Sequence, residues 1–544
     1  MAQTDASPQR RWNAACPNCG APVEFASAAS ASAVCSFCRS TLLREGESLR
    51  KIGISAELLD DYSPLQLGAS GRYAGEPFTV VGRLQLGTGE AGERSTWNEW
   101  HALFDSGRSA WLAEDNGQFV LSFEAPLKEA APQAHALLLG DAIILAGQSW
   151  RIGALSLSRV LAAQGELPHP PPLQTEFLVA ELRNSQNEVG TLDYSAGATP
   201  YWSLGRPVRF ADLAMHGLRE DKDKALAAQT LECPSCGAAL TPKLGNSLSI
   251  VCGQCRAVVD ISKGAGGDLA HFSQETGAAA GHEPQIPIGR SGLLAAELGQ
   301  APLSWQVVGY QERCDIPAPG SDDEQSFWRE YLLFNRVEGF AFLVDTDEGW
   351  SLVRTLTGAP QESGSGAQWQ GKSFKKRWTY TAKVTHVLGE FYWQVQRDQH
   401  AQVSDYEGAL GNPGAVLSRE QSGKEITWSL GRKLDATEVA KAFRLAPDQT
   451  AALSRDASGL SLGGSSPTIV RNVVLSLFFL ILLAILLKSC AEDDCQAYKD
   501  SYGESSAEYA QCKRSGGPRI YPGGGGSYGG GSYGGSGSSG GGHK

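Results

Sequence analysis

The sequence predicts a mainly β protein made of two similar halves, each a zinc ribbon followed by an antiparallel β sandwich or barrel-like domain. A double Cys-x-x-Cys motif occurs twice, and further peptides recur in the same order behind each copy. Between these motifs apolar and polar residues alternate with a period of two, which is typical of strands. Strands alternating with long amphipathic helices are missing from this pattern, so a doubly wound nucleotide-binding fold is disfavoured.

Each half begins with two Cys-x-x-Cys pairs separated by fifteen residues, the spacing of a zinc ribbon. A glycine follows the leading pair and lets the chain turn so that amide N–H groups face the sulfur atoms. Four thiolates leave no position for a substrate water, so we expect two structural zinc ions; disulfides or buried thiols are the alternative. The predicted ligands are Cys16, Cys19, Cys35 and Cys38, and in the second half Cys233, Cys236, Cys252 and Cys255.

Length and charge restrict the function. A chain of 544 residues is too long for one hydrophobic core and suggests three or four domains. The formal charge of −12, with no long basic run, disfavours nucleic-acid binding despite the ribbons. The N-terminal residues carry no apolar signal segment, and zinc thiolates need a reducing compartment, so we expect the bulk of the chain in the cytosol.

Peptides outside the cysteine motifs recur as well. The pentapeptide Trp-Ser-Leu-Gly-Arg stands unchanged at 202–206 and 428–432. It predicts a buried tryptophan on a late strand, a turn at the glycine and an arginine paired with a carboxylate of its own domain. Similar peptides also match Glu99 with Glu330, and Asp193 with Asp405.

Composition and repeats divide the chain into segments. The predicted segments are a ribbon at 1–49, a β domain at 50–213, a linker at 214–232, a ribbon at 233–262, a β domain at 285–445, a linker at 446–468, a transmembrane helix at 469–487, a cysteine-containing segment at 488–522 and a disordered Gly/Ser/Tyr tail at 523–544. Turn sequences such as Asp115-Asn-Gly117 separate the short apolar runs of both β domains and predict antiparallel pairing.

Several of these peptides carry a resemblance to a known family. The combination of Cys-Pro-x-Cys-Gly with 63–68 (Ser-Pro-Leu-Gln-Leu-Gly), 97–100 (Trp-Asn-Glu-Trp) and 389–393 (Gly-Glu-Phe-Tyr-Trp) resembles the bacterial family catalogued as domain of unknown function 4178. The similarity extends over most of 16–435, in both halves. It implies a zinc-ribbon-bearing protein without an established activity, from gene neighbourhoods concerned with polyamines and the bacterial envelope.

Candidate catalytic groups are few. The matched carboxylates Glu99, Glu330, Asp193 and Asp405 could act as general acids or bases if burial raised one pKa. The alternative is that they hold backbone N–H groups or an arginine. Six tryptophans could likewise stack on a ligand, although core packing is the favoured interpretation. They are Trp97, Trp100, Trp202, Trp328, Trp393 and Trp428.

The predicted transmembrane helix contains nineteen mostly apolar residues, which span roughly 28 Å at about 1.5 Å per residue. Basic residues are balanced on its two sides, so the positive-inside rule does not orient it. The need of the ribbons for reduced thiolates places the N-terminal domains in the cytosol and the tail outside the inner membrane. There Cys495 and Cys512 are candidates for a disulfide, with Cys490 as the leftover thiol or a rival partner for Cys512; the alternative is that all three are free cytosolic thiols.

Two classes of function follow from these observations. The favoured one is a membrane-anchored, zinc-binding interaction or scaffold protein whose partners are other membrane or membrane-associated proteins. The alternative is an enzyme with a pocket in one β domain that acts on a small substrate. A scaffold tolerates two equivalent copies, whereas an active site usually survives in one copy with additional polar residues, and this asymmetry distinguishes the two classes.

Overall fold

The computed structural model describes residues 12–454 and Ser505, apart from short stretches within that range. The omitted stretches are 28–29, 46–47, 56–62, 89–94, 116–117, 173–174, 220–230, 245–246, 262–268, 275–282, 296–299, 318–324, 397–398 and 410. The predicted membrane span at 469–487, the disulfide candidates Cys495 and Cys512 and the tail at 523–544 lie outside the described residues. In the part of the chain that is described, no helix has the length and apolar character needed to cross a membrane.

The first ribbon is a hairpin followed by a three-stranded antiparallel sheet, and a Cys-x-x-Cys pair forms the turn of each of its first two hairpins. Its strands are β1 (Trp12–Ala15), β2 (Pro22–Phe25), β3 (Ser32–Val34), β4 (Ser40–Glu45) and β5 (Ser48–Ile54). The second ribbon repeats this arrangement after the first β domain.

The described part of the first β domain contains ten strands and three short 3-10 helices. The strands are β6 (Ser70–Tyr73), β7 (Glu76–Thr88), β8 (Ser95–Phe104), β9 (Ser109–Asp115), β10 (Gln118–Glu124), β11 (Ala142–Leu145), β12 (Gln148–Leu167), β13 (Glu176–Arg183), β14 (Val189–Asp193) and β15 (Tyr201–Val208). The 3-10 helices are Ala134–Ala136, Tyr194–Ala196 and Phe210–Leu213. Antiparallel pairing runs in the order β7-β8-β9-β10-β15-β14-β13-β12 and returns to β7, which closes the sheet.

The second ribbon and the second β domain follow the same plan. The ribbon strands are β16 (Leu231–Glu232), β17 (Ala239–Leu240), β18 (Ser249–Val251), β19 (Val258–Asp260) and β20 (His271–Phe272). The domain contains β21 (Ser291–Leu294), β22 (Leu303–Ile316), β23 (Phe327–Asn335), β24 (Gly339–Thr346), β25 (Gly349–Leu356), β26 (Gln361–Ser363), β27 (Gly366–Trp369), β28 (Lys372–Phe391), β29 (His400–Gly408), β30 (Ala415–Ser422) and β31 (Glu425–Leu434). Two helices, α1 (Ala436–Phe443) and α2 (Pro447–Leu453), end the described chain apart from Ser505.

The second sheet closes in the order β22-β23-β24-β25-β31-β30-β29-β28, which is the order of the first sheet. A mainly β chain with antiparallel sheets in both halves confirms the predicted fold class at this level. The long strands β12 and β28 each contain 20 residues and curve past several partners. Corresponding positions in the two halves can therefore be assigned from the register of the strands.

Tryptophans and aliphatic residues fill the interior of both sheets. All six tryptophans proposed as a stacking platform are buried, so their observed position is the core. In the second half α1 and α2 cover one face: Gly292 lies under the ring of Phe443, and Trp350 Nε1 donates to the carbonyl of Leu453 at 3.0 Å. Burial of both faces explains why the period-two pattern fails on β24, where every residue is buried.

The two halves belong to one compact unit, which contains Met1–Arg455. They meet where β12 of the first sheet passes the β30–β31 hairpin of the second. Leu155 N–H donates to the carbonyl of Lys424 at 3.1 Å, and Arg183 Nη1 donates to the carbonyl of Ile426 at 3.3 Å. The first half contributes β12 to this contact, whereas the second half contributes the β30–β31 hairpin and not β28, the counterpart of β12. The contact is therefore heterologous, since the two halves use different surfaces.

Candidate metal centres and buried carboxylates

The cysteines of each ribbon converge on a point between the two turns. Within each group all four sulfur atoms lie within 4.8 Å of one another. Sulfur–sulfur separations are 3.7 Å for Cys16–Cys38 and for Cys19–Cys35, and in the second ribbon 3.6 Å for Cys233–Cys255 and 3.7 Å for Cys236–Cys252. A tetrahedral zinc with Zn–S bonds of about 2.3 Å requires sulfur atoms about 3.8 Å apart. Both predicted ligand sets therefore form groups that could hold zinc.

The turns around the sulfur atoms have the geometry that a metal-binding knuckle needs. Gly20 and Arg39 follow the two cysteine pairs of the first ribbon with φ of 77° and 56°. Gly237 and Arg256 repeat this at 73° and 60° in the second ribbon. The left-handed residue closes each turn, and the N–H of Gly20 donates to the carbonyl of Cys16 at 2.8 Å.

In each group, hydrogen bonds favour the thiolate form that zinc binds at one cysteine. The hydroxyl and the backbone N–H of Ser40 lower the pKa of Cys38 to about 5. The N–H of Ala257 lowers the pKa of Cys255 to about 6.

At Cys19 and Cys236 the backbone N–H groups of Ala21 and Ala238 act in the same direction, but the neighbouring thiols outweigh them and raise the pKa to about 12. Because all four donors of each group are sulfur, a bound zinc would be closed to substrate and structural. Among the described residues, no other His, Cys, Asp or Glu side chains bring three ligand atoms this close together.

Each ribbon is attached to its closed sheet by a buried glutamate, which the sequence did not single out for this role. Glu166 accepts hydrogen bonds from the backbone N–H groups of residues 26–27. Glu390 accepts hydrogen bonds from the N–H groups of residues 243–244, all at 3.0 Å, and from the hydroxyl of Ser247 at 2.8 Å. The two glutamates occupy the same register position near the end of β12 and β28.

The glycine before each glutamate allows two strands to cross closely. Gly165 has φ of 72°, and a Cβ there would lie 2.2 Å from the carbonyl oxygen of Val81. Gly389 has φ of 87°, and its Cβ would lie 2.3 Å from the carbonyl oxygen of Val308. No other residue type fits either place. We call Gly165-Glu166 and Gly389-Glu390 the Gly-Glu latches.

The first latch has an additional partner in His101 on β8. His101 Nδ1 lies 2.9 Å from the backbone carbonyl of Glu166, so this nitrogen is the donor. Nε2 then accepts from the hydroxyl of Ser109 at 2.9 Å. Burial lowers the pKa of His101 to about 4, which keeps the ring neutral. Leu332 takes the corresponding place in the second half.

The sequence model of one protein family, described as domain of unknown function (DUF4178), matches residues 66–210 and 303–436, just over half of the chain. The chain belongs to this family. The two matches coincide with the two closed sheets, and a ribbon precedes each one, as the resemblance implied. Neither the curated proteins nor the solved structures contain a match. The family description names no activity.

The predicted equivalence of Glu99 and Glu330 agrees with the strand register of the two DUF4178 copies. Each is fully buried and accepts a hydrogen bond from the tryptophan two residues earlier on its strand. The Nε1–Oε1 distances are 3.3 Å from Trp97 to Glu99 and 2.8 Å from Trp328 to Glu330. Sequence matching therefore found a true pair, and both members bond inside their own sheet.

The predicted equivalence of Asp193 and Asp405 is wrong. Asp193 ends β14 and lies opposite Val179, whereas Asp405 lies on β29 opposite Ser418. By register the counterpart of Asp193 is Glu420. The counterpart of Asp405 is Glu181 by the same comparison. Both aspartates precede a tyrosine by coincidence. Among the described residues, each DUF4178 copy has three buried carboxylates at corresponding positions in addition to its latch glutamate.

In the second copy a buried arginine joins two of these carboxylates. Arg313 Nη1 lies 3.3 Å from Glu330 and 2.9 Å from Glu420, and Nη2 lies 3.1 Å from Glu420. Gln311 Nε2 also donates to Glu330 at 2.6 Å. Burial raises the pKa of Glu330, and the positive charge of Arg313 opposes that rise. The first copy has Leu86 at the position of Arg313, so it lacks this network.

The third carboxylate of the second copy faces a half-exposed tyrosine. The Tyr380 hydroxyl donates to Asp405 at 2.7 Å, and its ring packs edge-on against Trp328 with centroids 5.6 Å apart. Tyr380 therefore connects the buried network with the surface. Ser156 takes its place in the first copy.

The repeated pentapeptide has a structural role in both DUF4178 copies. Trp202 and Trp428 are buried on the last strands, and Arg206 and Arg432 pair with Glu188 and Glu438 of their own domains, as the sequence predicts. The predicted turn at the glycine is wrong. Gly205 and Gly431 lie inside β15 and β31, and a Cβ on Gly431 would lie 2.0 Å from the carbonyl oxygen of Leu352. Glycine is required there because β25 passes so close.

Proposed function

We propose that this chain is a membrane-anchored, zinc-stabilised interaction protein that presents two β domains to other membrane or membrane-associated proteins. The observation that supports the proposal is that the candidate catalytic carboxylates accept hydrogen bonds from side chains within their own domains. Each cysteine group has four thiolates, and Glu99, Glu330 and Asp405 are bonded to side chains of their own closed sheets. Groups held in this way stabilise a fold and leave binding to the outer surfaces.

The proposal includes two structural zinc ions, one in each ribbon, and a membrane span at 469–487 that follows the described domains. The chain between α2 and that span contains fifteen residues, 454–468. The sequence predicts a linker here, and a random-coil chain of fifteen residues would have an end-to-end distance of about 20 Å, so the proposal keeps the β domains near the membrane surface. Zinc-binding thiolates require a reducing compartment, so the proposal assigns the ribbons to the cytosolic side of the inner membrane and Cys495 and Cys512 to the outside.

The test is affinity capture from detergent-solubilised membranes. Full-length chain is compared with a control protein that carries only residues 446–544 behind an unrelated soluble domain. We expect specific membrane or membrane-associated proteins to be retained by the full chain and not by the control. If the two proteins retain the same set, the span alone explains capture and the proposed function fails.

A second candidate function is a small-molecule or catalytic site in the second β domain. The observation that favours it is asymmetry: Gln311, Arg313 and Tyr380 stand where the first half has Leu84, Leu86 and Ser156. Tyr380 is half-exposed to solvent, and its hydroxyl donates a hydrogen bond to the buried Asp405.

The matched variant for this candidate is Tyr380→Ser, because it installs the residue of the first half at a half-exposed position. Thermal-shift screening of wild type and Y380S against small ammonium, carboxylate and phosphate compounds tests the site. A compound that stabilises the wild type alone favours a ligand site, and equal shifts in both proteins contradict it.

A further inference from the structure

The donors of the two Gly-Glu latches have the same spacing from the metal ligands. They are the backbone N–H groups seven and eight residues after Cys19 in the first ribbon and after Cys236 in the second. The short strands β2 and β17 occupy the interval between the cysteine turn and the latch donors. A metal that fixes the turn therefore also fixes the direction of the N–H groups that the glutamate needs.

At each latch, a strand of the ribbon also pairs with the end of a long strand of the closed sheet. Residues 165–167 at the end of β12 pair with residues 32–34 of β3. Residues 390–391 of β28 pair with residues 249–250 of β18. The closed circuit of eight strands does not pass through either ribbon, so this pairing can open while the sheet stays closed.

Loss of the ribbon N–H donors would leave each latch glutamate in an energetically unfavourable state. Glu166 is 6% exposed and Glu390 is 7% exposed, so neither carboxylate is hydrated where it stands. A buried ionised carboxylate that loses its hydrogen-bond donors must move to water or take up a proton. Moving to water requires the strand end to leave the ribbon strand.

We propose that Glu166 and Glu390 are positioning residues that couple zinc retention in each ribbon to the docking of the strand end in the same half. Zinc holds the latch donors in place, and the docked carboxylate in turn holds the ribbon in its metal-binding form. Coupling between two such sites is reciprocal by thermodynamic necessity. The inference rests on the two zinc ions of the proposed function and assigns the residues that regulate their retention.

The first experiment measures zinc release from the full-length protein in detergent, with a colorimetric chelator as the readout. Glu166→Gln and Glu390→Gln keep the side-chain size but remove the charge and turn one oxygen into an N–H₂ group that faces the ribbon N–H donors. Hydrogen bonds to charged acceptors contribute more than neutral ones by about 1.4 kcal/mol, which corresponds to a tenfold change. We expect each variant to release one of its two zinc ions about tenfold faster and the double variant to release both.

The matched control is Glu330→Gln, an equally buried carboxylate whose hydrogen bonds to Trp328, Gln311 and Arg313 lie within the second sheet. It should leave both release rates unchanged. If E330Q accelerates release as much as the latch variants, the effect is a general loss of stability and the coupling fails. Wild-type release rates in E166Q and E390Q would also overturn it.

Hydrogen exchange on the wild-type protein gives a second measurement that needs no variant. Removal of zinc should increase exchange at the amides of 165–167 and 390–391 while strands β8 and β23 stay protected. Unchanged protection of the two strand ends after zinc removal would contradict the proposal. Metal analysis that finds no zinc defeats the zinc-stabilised function itself, whereas zinc with normal release kinetics defeats only the coupling.

Discussion

Arg313 on β22 and Glu420 on β30 form a two-point ion pair inside the second closed sheet, with Nη1–Oε2 and Nη2–Oε1 distances of 2.9 Å and 3.1 Å. Both side chains are almost fully buried. The pair joins strands that lie far apart in the circuit, and Glu330 receives the remaining hydrogen bond of Nη1 at 3.3 Å. The geometry therefore makes the second half depend on a charge that the first half does not contain.

Replacing Arg313 by leucine, the residue of the first half, should destabilise the second half strongly. The change leaves Glu330 and Glu420 buried without a cation, which costs about 3–5 kcal/mol in comparable sites. Urea unfolding followed by tryptophan fluorescence measures the loss. The control is Arg206→Leu, because that arginine is 65% exposed and its surface ion pair contributes little. Equal stability of R313L and wild type would show that the network carries no stability.

Cys19→Ser should remove one of two bound zinc ions and unfold the first ribbon. A structural zinc site contributes on the order of 10–16 kcal/mol in small peptides, and three thiolates hold the metal far less well. The first closed sheet should remain folded, because its eight strands pair with one another without the ribbon. Metal analysis of anaerobically purified protein and circular dichroism check both parts. Two zinc ions in C19S would reject the ligand assignment.

Trp428→Ala and Trp202→Ala should each lower the free energy of unfolding by about 3–5 kcal/mol, since both remove a large buried aromatic side chain. The two variants form a matched pair from the identical pentapeptides. Differential scanning calorimetry distinguishes which half loses stability. Full thermal stability together with loss of a captured partner would instead identify the pentapeptide as a binding surface.

Gly431→Ala should destabilise the second sheet by about 1–3 kcal/mol, because the new methyl group would meet the carbonyl of Leu352 at 2.0 Å. Gly364→Ala is the control, since its Cβ would meet nothing within 4 Å. Chemical unfolding of both variants gives the comparison. If G431A and G364A are equally stable, β25 can move away from β31 and the close approach is not needed.

His101 should make the stability of the first half depend on pH. Its pKa lies near 4 in the folded chain and near 6.5 when unfolded, so the unfolded chain alone binds a proton between these values. Stability is fully present above about pH 6.5 and falls by up to about 3 kcal/mol as pH drops towards 4. In His101→Leu, which installs the residue of the second half, that part of the pH dependence should vanish. The test is to measure the free energy of unfolding of the wild type and of H101L at pH 7 and at pH 5. An equal loss of stability in both proteins at pH 5 would contradict the role of His101.

Local motifs carried most of what the sequence could predict. The two cysteine groups that could hold zinc follow from spacing alone, because each Cys-x-x-Cys pair forms its own turn and the described residues between the pairs include one arm of each hairpin. The Glu99–Glu330 pair was found because a tryptophan two residues earlier bonds to each glutamate along the same strand. Such relationships need no knowledge of which strands are neighbours.

Relationships between distant strands were out of reach. Asp193 and Asp405 share a local Asp-Tyr pattern, yet their strands β14 and β29 occupy different positions in the closed circuits. Glu166 looks like any strand carboxylate until its ribbon donors, 139 and 140 residues earlier in the chain, are brought to it by β12. Arg313 takes the place of Leu86 and adds a buried charge. Its partners, Glu330 and Glu420, can be identified only when the register of β22, β23 and β30 is known.

Because the ribbon N–H donors and the latch glutamates lie far apart in the sequence, the ribosome makes them at different times. The first ribbon leaves the ribosome complete, with all four cysteines, while Glu166 is still untranslated. Ala26 precedes Glu166 by 140 residues, which take about 7 to 28 seconds to make at 5–20 residues per second. The second ribbon waits for Glu390 over a similar interval, since Lys243 precedes it by 147 residues. A zinc ion bound by a nascent ribbon would therefore be held by the four thiolates alone until the strand that carries the latch glutamate has been translated.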